Sequence, residues 1–267
     1  MESKIAKYLD CKFDPIVLVE SDSYSDDMLG PKSPEERCVM SFVAETIANR
    51  KTTYYGRDNV VCLGLFPAFG WGSGFETEAD RDSQATFTSR GVDSAKDREA
   101  YIKSLEGRPP QVVEMFKEGE RIFTDFETAC KVIDQRPMYD GKNYMIFKGI
   151  ENLKEDETPL SVVFTLNPLE LTAFVQINSS FRVGESKLLT PQASGCQAIG
   201  CFTIDQGQKE DPAPILSPID FTSKMRMRNL IPDEYLCVSV PWKLFLKLEE
   251  ISDISVLNTK LWQNYKK

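Results

Sequence analysis

The sequence predicts an α+β fold, in which a mixed sheet carries helices on its flanks. Three observations predict this class. Short apolar runs typical of buried strands alternate with helix-like segments of uneven length. The chain has 267 residues, which is enough to bury a sizeable core. Apolar residues make up 41% of the chain and charged residues 27%, as in ordinary soluble globular proteins.

The first half opens with strand and helix signals that alternate. Ser33, with Pro34 next and Glu36 three residues on, is typical of a helix start. The elements predicted for this half are a helix over 2–10, a strand over 15–19, a helix from Ser33 to about Asn49, a strand over 52–55, helices over 94–106, 109–118 and 124–135, and a strand over 143–150.

The second half follows a charged turn at 151–158. Asn167 and Pro168 form a typical helix start, with an N-cap residue and proline at the first helical position. The elements predicted here are a strand over 160–165, a helix from Asn167, a Pro-rich loop over 212–218, a helix over 219–228, a strand over 236–240, a helix from Pro241 and a helical tail over 251–264.

The two halves, 1–150 and 151–267, show the same faint pattern. Each has a buried strand, a polar excursion, a hydroxyl residue followed by proline ahead of a cysteine, and another strand. The paired settings are Ser33-Pro34 before Cys38 and Thr190-Pro191 before Cys196. We therefore expect two pseudo-repeated halves that share one cleft.

The chain contains seven cysteines and no histidine. The missing imidazole removes the commonest general base, the commonest metal ligand and the histidine-based catalytic triads. Any chemistry must therefore use thiols, carboxylates, lysines, tyrosines or a bound cofactor. Cys11, Cys130 and Cys237 lie in ordinary helix or strand contexts, so we assign them to the core.

Cys38, Cys62 and Cys196 come from separate elements and are the candidate metal ligands. Thiolates favour zinc, copper(I) and iron clusters, so the cofactors considered are zinc and an iron–sulfur cluster. None of the pairs has the C-x2-C spacing of a strong metal motif, and buried structural thiols are the competing interpretation. A nucleophilic cysteine is a third interpretation, although no histidine is present to activate it.

Glycines and aromatic residues alternate after Cys62. Gly70, Trp71, Gly72 and Gly74 form a G-x-G-x-G run, in which glycine lets a ligand approach the backbone closely. The run is neither a dinucleotide fingerprint nor a phosphate-binding loop. A small-ligand site and a loop that covers the core or a dimer contact both fit this pattern.

The charge of the chain restricts its partners. The net charge of −9 disfavours nucleic acid and anionic membrane surfaces. No apolar run approaches the ~20 residues of a membrane span, and the first residues lack a signal-peptide core. We therefore expect a cytoplasmic protein with reduced thiols, and a small-molecule ligand and homo-oligomer formation both stay open.

Five short strings, in the same order along the chain, resemble the domain-of-unknown-function-169 family of archaeal and bacterial proteins. They are Cys38-Val39-Met40-Ser41, Val61-Cys62, Asn167-Pro168-Leu169-Glu170-Leu171, Gly195-Cys196-Gln197-Ala198-Ile199-Gly200 and Val240-Pro241-Trp242-Lys243-Leu244-Phe245. The resemblance implies one family domain over 1–267 and places Cys38, Cys62 and Cys196 at matching positions. It supplies no reaction, and Leu63-Gly64-Leu65 follows Cys62 where the family usually has Pro-Gly-Gly.

Three functions from different classes follow from these observations. The first is binding of a small ligand, a metal or an iron–sulfur cofactor through a cleft lined by cysteines. The second is a non-catalytic interaction or regulatory module whose cysteines are structural. The third is a cysteine-dependent enzyme without histidine.

Overall fold

Strands from both halves of the chain form a single sheet in the computed structural model, which describes residues 1–31, 38–60, 62, 64–218 and 220–266. The strands are β1 (Phe13–Ser21), β2 (Thr53–Gly56), β3 (Tyr144–Gly149), β4 (Ser161–Leu166), β5 (Ile215–Ser217) and β6 (Leu236–Pro241). Their order across the sheet is β2-β3-β1-β4-β6-β5.

The described chain combines this sheet with helices, so the α+β class is confirmed. They are α1 (Lys4–Leu9), α2 (Val39–Asn49), α3 (Leu65–Ala68), α4 (Glu78–Thr88), α5 (Arg98–Lys103), α6 (Pro110–Glu118), α7 (Phe126–Asp134), α8 (Pro168–Ser179), α9 (Gly195–Gln197), α10 (Thr203–Gly207), α11 (Phe221–Met227), α12 (Trp242–Ile251) and α13 (Lys260–Tyr265). Among the helices described, none has the length and apolar character needed to cross a bilayer.

The strands of the sheet pair antiparallel, which corrects the expectation of a mixed sheet. Every ladder between neighbouring strands is antiparallel. Within the described part of the chain, parallel pairing is confined to two isolated bridges, Leu29 with Thr53 and Leu189 with Ile215. Strand direction depends on contacts between residues far apart in sequence, so the apolar runs alone did not reveal it.

The central strands are buried on both faces, and each face has its own core. Ile16 and Leu18 of β1 point to the core beneath α2, whereas Val17 and Val19 point to the core beneath α8 and α12. The alternation of side chains along a strand explains this division. We call these the α2 face and the α8 face of the sheet.

The chain divides into two compact units. Unit 1 comprises Met1–Trp71 and Tyr139–Lys267, and unit 2 comprises Gly72–Met138. Within unit 1, the Gly141 N–H donates to the Gly70 carbonyl at 2.9 Å, at the point where the chain leaves and re-enters this unit. The half-repeats 1–150 and 151–267 have different limits from these units.

Unit 2 is helical and contains α4 to α7. α4 packs against α7, and Ala85, Ala129 and Ile133 are buried in its small core. Arg81 binds Asp134 in an ion pair across the two helices. The acidic residues after Phe75 belong partly to α4, because Thr77 and Asp80 form a capping box at its start.

The strand order is the same in the two halves, but the helices are not. The order β1-β3-β2 is repeated as β4-β6-β5. If a two-fold axis related the two halves, it would run perpendicular to the sheet, because it would exchange antiparallel strands. Such an axis leaves each face of the sheet on its own side, so matching helices would lie on the same face. The helices that follow the first strand of each half, α2 after β1 and α8 after β4, lie on opposite faces. The pseudo-repeat is therefore not confirmed, and duplication with a shared cleft stays a prediction.

Two element boundaries differ from the prediction. Cys38 has an extended backbone (φ −51°, ψ 135°) and is the N-cap residue of α2, so α2 does not run continuously through it from Pro34. The predicted start at Ser33 lies outside the described residues. β5 forms inside the predicted loop over 212–218, because β6 supplies its hydrogen-bond partners.

We predict that the double burial of the sheet dominates stability. Phe147 in β3 is fully buried on the α2 face, so Phe147→Ala should lower the free energy of unfolding by about 3–5 kcal/mol through lost burial and a cavity. Ile254 is 87% exposed, so Ile254→Ala should change it by less than about 0.5 kcal/mol. Chemical denaturation measures both variants, and similar losses would contradict the prediction.

Candidate functional site

Three different elements carry the cysteines predicted to be ligands. Cys38 is the N-cap residue of α2, Cys62 precedes α3, and Cys196 is in α9. α9 packs against both α2 and α3. Cys38 is half-buried, Cys62 is exposed and Cys196 is buried.

Hydrogen bonds hold the segment around Cys196 in place. The Gly195 N–H donates to the Asp220 carboxylate at 2.7 Å and to the Ser223 hydroxyl at 3.1 Å. The Gln197 side-chain amide donates to the Gly64 carbonyl at 2.8 Å, which ties α9 to the segment that follows Cys62. Cys196 is therefore positioned by two different parts of unit 1.

The three thiols are electrostatic neighbours. Burial raises the pKa of Tyr55 to about 12, and Cys62, Cys38 and Cys196 each add to the rise. Cys38 and Cys62 also raise the pKa of Cys196. Cys38, Cys62 and Cys196 thus influence a common set of pKa values, and we call these three cysteines the thiol cluster.

Burial keeps two of these thiols protonated near neutral pH. The pKa of Cys38 is raised from 9.0 to about 11, mainly by burial and further by Cys62, while the Met40 backbone N–H and Arg226 oppose the rise. The pKa of Cys196 lies well above its usual range, again because of burial, and the Ser194 hydroxyl 3.2 Å from its sulfur lowers it only partly. Low-pKa thiolates are absent from these two positions.

The predicted metal site is not shown. Across the described part of the chain, no group of three or more cysteine, aspartate or glutamate side chains is arranged to hold a metal ion. The physical reason lies in the surroundings of the thiols, since Cys196 faces the apolar core whereas Cys62 faces solvent. An iron–sulfur cluster or zinc ion bound by Cys38, Cys62 and Cys196 stays a prediction.

The glycine–aromatic run is divided between the two units. Trp71 is buried in unit 1, where its indole N–H donates to the Lys142 carbonyl at 2.6 Å. Gly70 has a φ of 71° and a backbone so close to Gly141 that a Cβ would lie 2.4 Å from the Gly141 nitrogen. Gly72 and Gly74 also have positive φ but belong to unit 2. A ligand-binding role for these residues stays a prediction.

Three of the other four cysteines are core residues. Cys130, Cys201 and Cys237 are 8%, 1% and 1% exposed, and Cys11 is half-buried. All seven cysteines lie in the described part of the chain, and none of them forms a disulfide. The assignment of Cys130 and Cys237 to the core agrees with their burial.

Sequence reasoning missed the polar residues around the thiol cluster. Tyr55 lies in β2, and Asp220 and Arg226 lie at or in α11, so the three come from opposite ends of the chain. Asp220 and Arg226 influence the pKa of Cys38, and Asp220 also influences that of Cys196, whereas the pKa of Tyr55 is itself raised by the three cysteines. No local motif marks them, because only the packing of α11 against α2 brings them near.

The comparisons with known proteins identify a family and no individual relative. The family model DUF169, described as uncharacterised ArCR, matches residues 4–251. No curated protein matches, and no solved structure matches either.

We predict that Cys62 is alkylated first and Cys38 much more slowly. A pKa of about 11 for Cys38, against an ordinary 9.0, means about 100-fold less thiolate near neutral pH. The more basic thiolate is also a stronger nucleophile, which raises the alkylation rate by about tenfold. The two effects together should make Cys38 react roughly tenfold more slowly than in the unfolded chain.

Peptide mass spectrometry after iodoacetamide treatment measures these rates. The rate at Cys38 should rise about tenfold per pH unit until the pH approaches its pKa of about 11. The unfolded chain serves as the control. Equal labelling of Cys38 and Cys62 near neutral pH would contradict the prediction.

Proposed function

The chain belongs to the DUF169 family, and we propose that it binds a thiophilic ligand at the thiol cluster of Cys38, Cys62 and Cys196. One observation supports the proposal: three cysteines from separate elements each raise the pKa of the same residue, Tyr55. These cysteines are far apart in sequence, so sequence proximity does not explain why all three act on one residue. Their common influence therefore supports a shared role.

The exposure of the three thiols supports a site with one open side. Cys62 faces solvent and can make the first contact with a ligand, whereas Cys38 is half-buried and Cys196 is buried. A ligand that passes from Cys62 towards Cys196 would exchange water for sulfur contacts. Sulfur favours soft partners, so the ligand class is a soft metal ion, an iron–sulfur cluster or a small organic molecule that bonds to sulfur.

The raised pKa values shape the binding reaction. Cys38 and Cys196 are protonated thiols before binding, since burial raises both pKa values. Metal binding would therefore release protons, because thiolates are the ligating form. Binding should strengthen as the pH rises, and reduced thiols, as expected in the cytoplasm, are a condition of the proposal.

The same pKa values argue against the cysteine-dependent enzyme. A nucleophilic cysteine needs a lowered pKa or an adjacent base, and the chain has no histidine. Burial shifts Cys38 and Cys196 in the opposite direction. Ligand binding is therefore the better supported chemical function.

The interaction module is the second candidate, because burial of cysteines is widespread in this chain. Cys201 and Cys237 are each 1% exposed and are not among the metal ligands predicted from sequence. Buried thiols act as small apolar side chains in many cores. If Cys38 and Cys196 act in this way, their replacement would change stability and leave the composition of the purified protein unchanged.

The decisive experiment is anaerobic purification, followed by an absorbance spectrum, elemental analysis and native mass spectrometry. The proposal predicts a metal or a bound mass in stoichiometric amount with the chain. Cys62→Ser should lower that amount at least about tenfold, because one sulfur contact is lost from an exposed position that contributes little to the core.

A matched control separates ligation from packing. Cys196 and Cys237 are both buried on the α2 face, so Cys196→Ser and Cys237→Ser perturb the same core. Only Cys196→Ser should lose the bound group. If the wild-type protein carries no metal or bound mass, or if Cys62→Ser retains as much of it as the wild type, the proposal is wrong. The interaction module would then be the better supported function.

A further inference from the structure

The loop that follows α8 lines a cavity of about 310 Å³ in unit 1. The charged residues that line this cavity are Arg182, Glu185, Lys187, Asp211 and Lys247. Three of them are cations and two are anions, so the lining has one positive charge in excess. The whole chain has a net charge of −9, so the charge of this cavity is opposite to that of the protein, and it attracts anions.

Hydrogen bonds hold both ends of this loop in place. At its start, the Arg182 N–H donates to the Ser179 carbonyl at 2.9 Å. At its end, the side-chain amide of Asn178 donates to the Lys187 carbonyl at 2.8 Å. Between these two points, Gly184 has a φ of 98°, a backbone conformation that favours glycine. The loop therefore has a defined backbone at both sides of the cavity.

The Arg182 guanidinium is fixed in this loop, because its side chain is only 6% exposed and makes three hydrogen bonds. It donates to the Asn178 carbonyl at 3.2 Å and to the Pro212 carbonyl at 2.6 Å. Its third bond goes to one oxygen of the Asp211 carboxylate, and the Lys187 ammonium binds the other oxygen. Lys187 and Arg182 lower the pKa of Asp211, so this carboxylate stays ionised between two cations.

The Phe181 ring brings two of the cations close to each other. The Lys247 ammonium lies 3.8 Å from the centroid of this ring, and the Arg182 guanidinium carbon lies 4.8 Å from the same centroid. The distance between these two cations is therefore at most the sum of the two values. Lys187 belongs to the same group, because it shares the Asp211 carboxylate with Arg182. Contacts thus connect all three cations of the cavity.

The carboxylates of the cavity balance its cations only in part. Asp211 has one negative charge and binds two cations, so one positive charge of Arg182 and Lys187 is left over. Lys247 adds a second, since within the described part of the chain it contacts the Phe181 ring and forms no ion pair. Glu185 offsets one of these two charges. An anion would therefore find at least one positive charge that no side chain of the cavity balances.

We propose that this cavity binds a phosphate group, either as inorganic phosphate or as part of a small phosphate monoester. Lys187 and Lys247 would donate to the phosphate oxygens, while Arg182 stays bound to Asp211. Both lysines are exposed and line the same cavity, so their long side chains can turn towards one anion. A phosphate monoester carries nearly two negative charges and three acceptor oxygens near neutral pH, which suits two ammonium groups.

The proposed phosphate site is separate from the thiol cluster. Phe181 packs against the core of the α8 face, whereas Cys38 and Cys196 belong to the core of the α2 face. Neither proposal depends on the other. A phosphate at this site would also explain why two cations lie beside one aromatic ring, because the anion would offset their mutual repulsion.

The test is isothermal titration calorimetry of the full chain with inorganic phosphate and with glycerol 3-phosphate. Sodium chloride at equal ionic strength is the reference, and the ionic strength is kept low because salt screens exposed charges. At least one of the two compounds should bind once per chain with a Kd of about 1 mM or tighter. The compound that binds more tightly shows whether the ligand is free phosphate or a phosphate monoester.

Two variants and a matched control localise the binding. Lys247→Gln should weaken it at least about tenfold, because a hydrogen bond between two charged groups is lost. Glu185→Gln should strengthen it about twofold or more, because a negative charge is removed from the lining. Lys243→Gln is the control, since Lys243 is an exposed lysine of α12 that does not line the cavity. It removes the same charge and should keep the affinity within about twofold of the wild type.

Three outcomes would overturn the proposal. The first is that the wild type binds neither compound in a saturable manner. The second is that Lys247→Gln and Lys243→Gln lose affinity equally, which would indicate unspecific attraction by net charge. The third is that Glu185→Gln binds more weakly than the wild type. Lys247, Lys243 and Glu185 are all exposed, so the three variants should fold, and circular dichroism checks this.

Discussion

The burial of β1 and β4 on both faces is the constraint on which the rest of the structure depends. These adjacent strands form the centre of the sheet, and their side chains enter both cores. A strand in this position cannot leave either side open to water, so unit 1 needs helices on both faces. The positions of α2, α8 and α12 follow from this requirement. The same requirement explains why the halves diverge in their helices while they share a strand order.

The two faces differ in chemistry. Val162, Phe164, Val238 and Val240 make the central part of the α8 face apolar, whereas Ser161, Thr165, Cys237 and Ser239 are on the α2 face. Cys38 and Cys196 of the thiol cluster belong to the core of the α2 face. Hydroxyl and thiol groups are small, so they occupy core positions with little loss of packing.

The sequence predicted elements whose signals are local and missed features that depend on distant residues. Strands β1, β4 and β6 and the capped start of α8 at Asn167 are visible in short windows, because burial on both faces demands runs of apolar side chains. Strand direction, β5 and the separate unit 2 were missed, because each depends on which segments meet. Cys38, Cys62 and Cys196 influence a common set of pKa values, but their role as ligands stays a prediction, and their unlike exposure has no local signal in the sequence. Single buried serines such as Ser161 carry no sequence signal at all.

The hydrogen bond between Gly70 and Gly141 has a consequence for how this chain tolerates insertion. It joins the two points at which the backbone leaves and re-enters unit 1, so unit 1 closes its own gap without help from the 67 residues between Trp71 and Tyr139. The entropy of closing a flexible loop grows only with the logarithm of its length, and doubling the length costs about 0.6 kcal/mol. The backbone of unit 2 thus leaves and returns at one hydrogen-bonded turn of unit 1. A longer or shorter segment between Trp71 and Tyr139 would therefore change the entropy of loop closure only slightly.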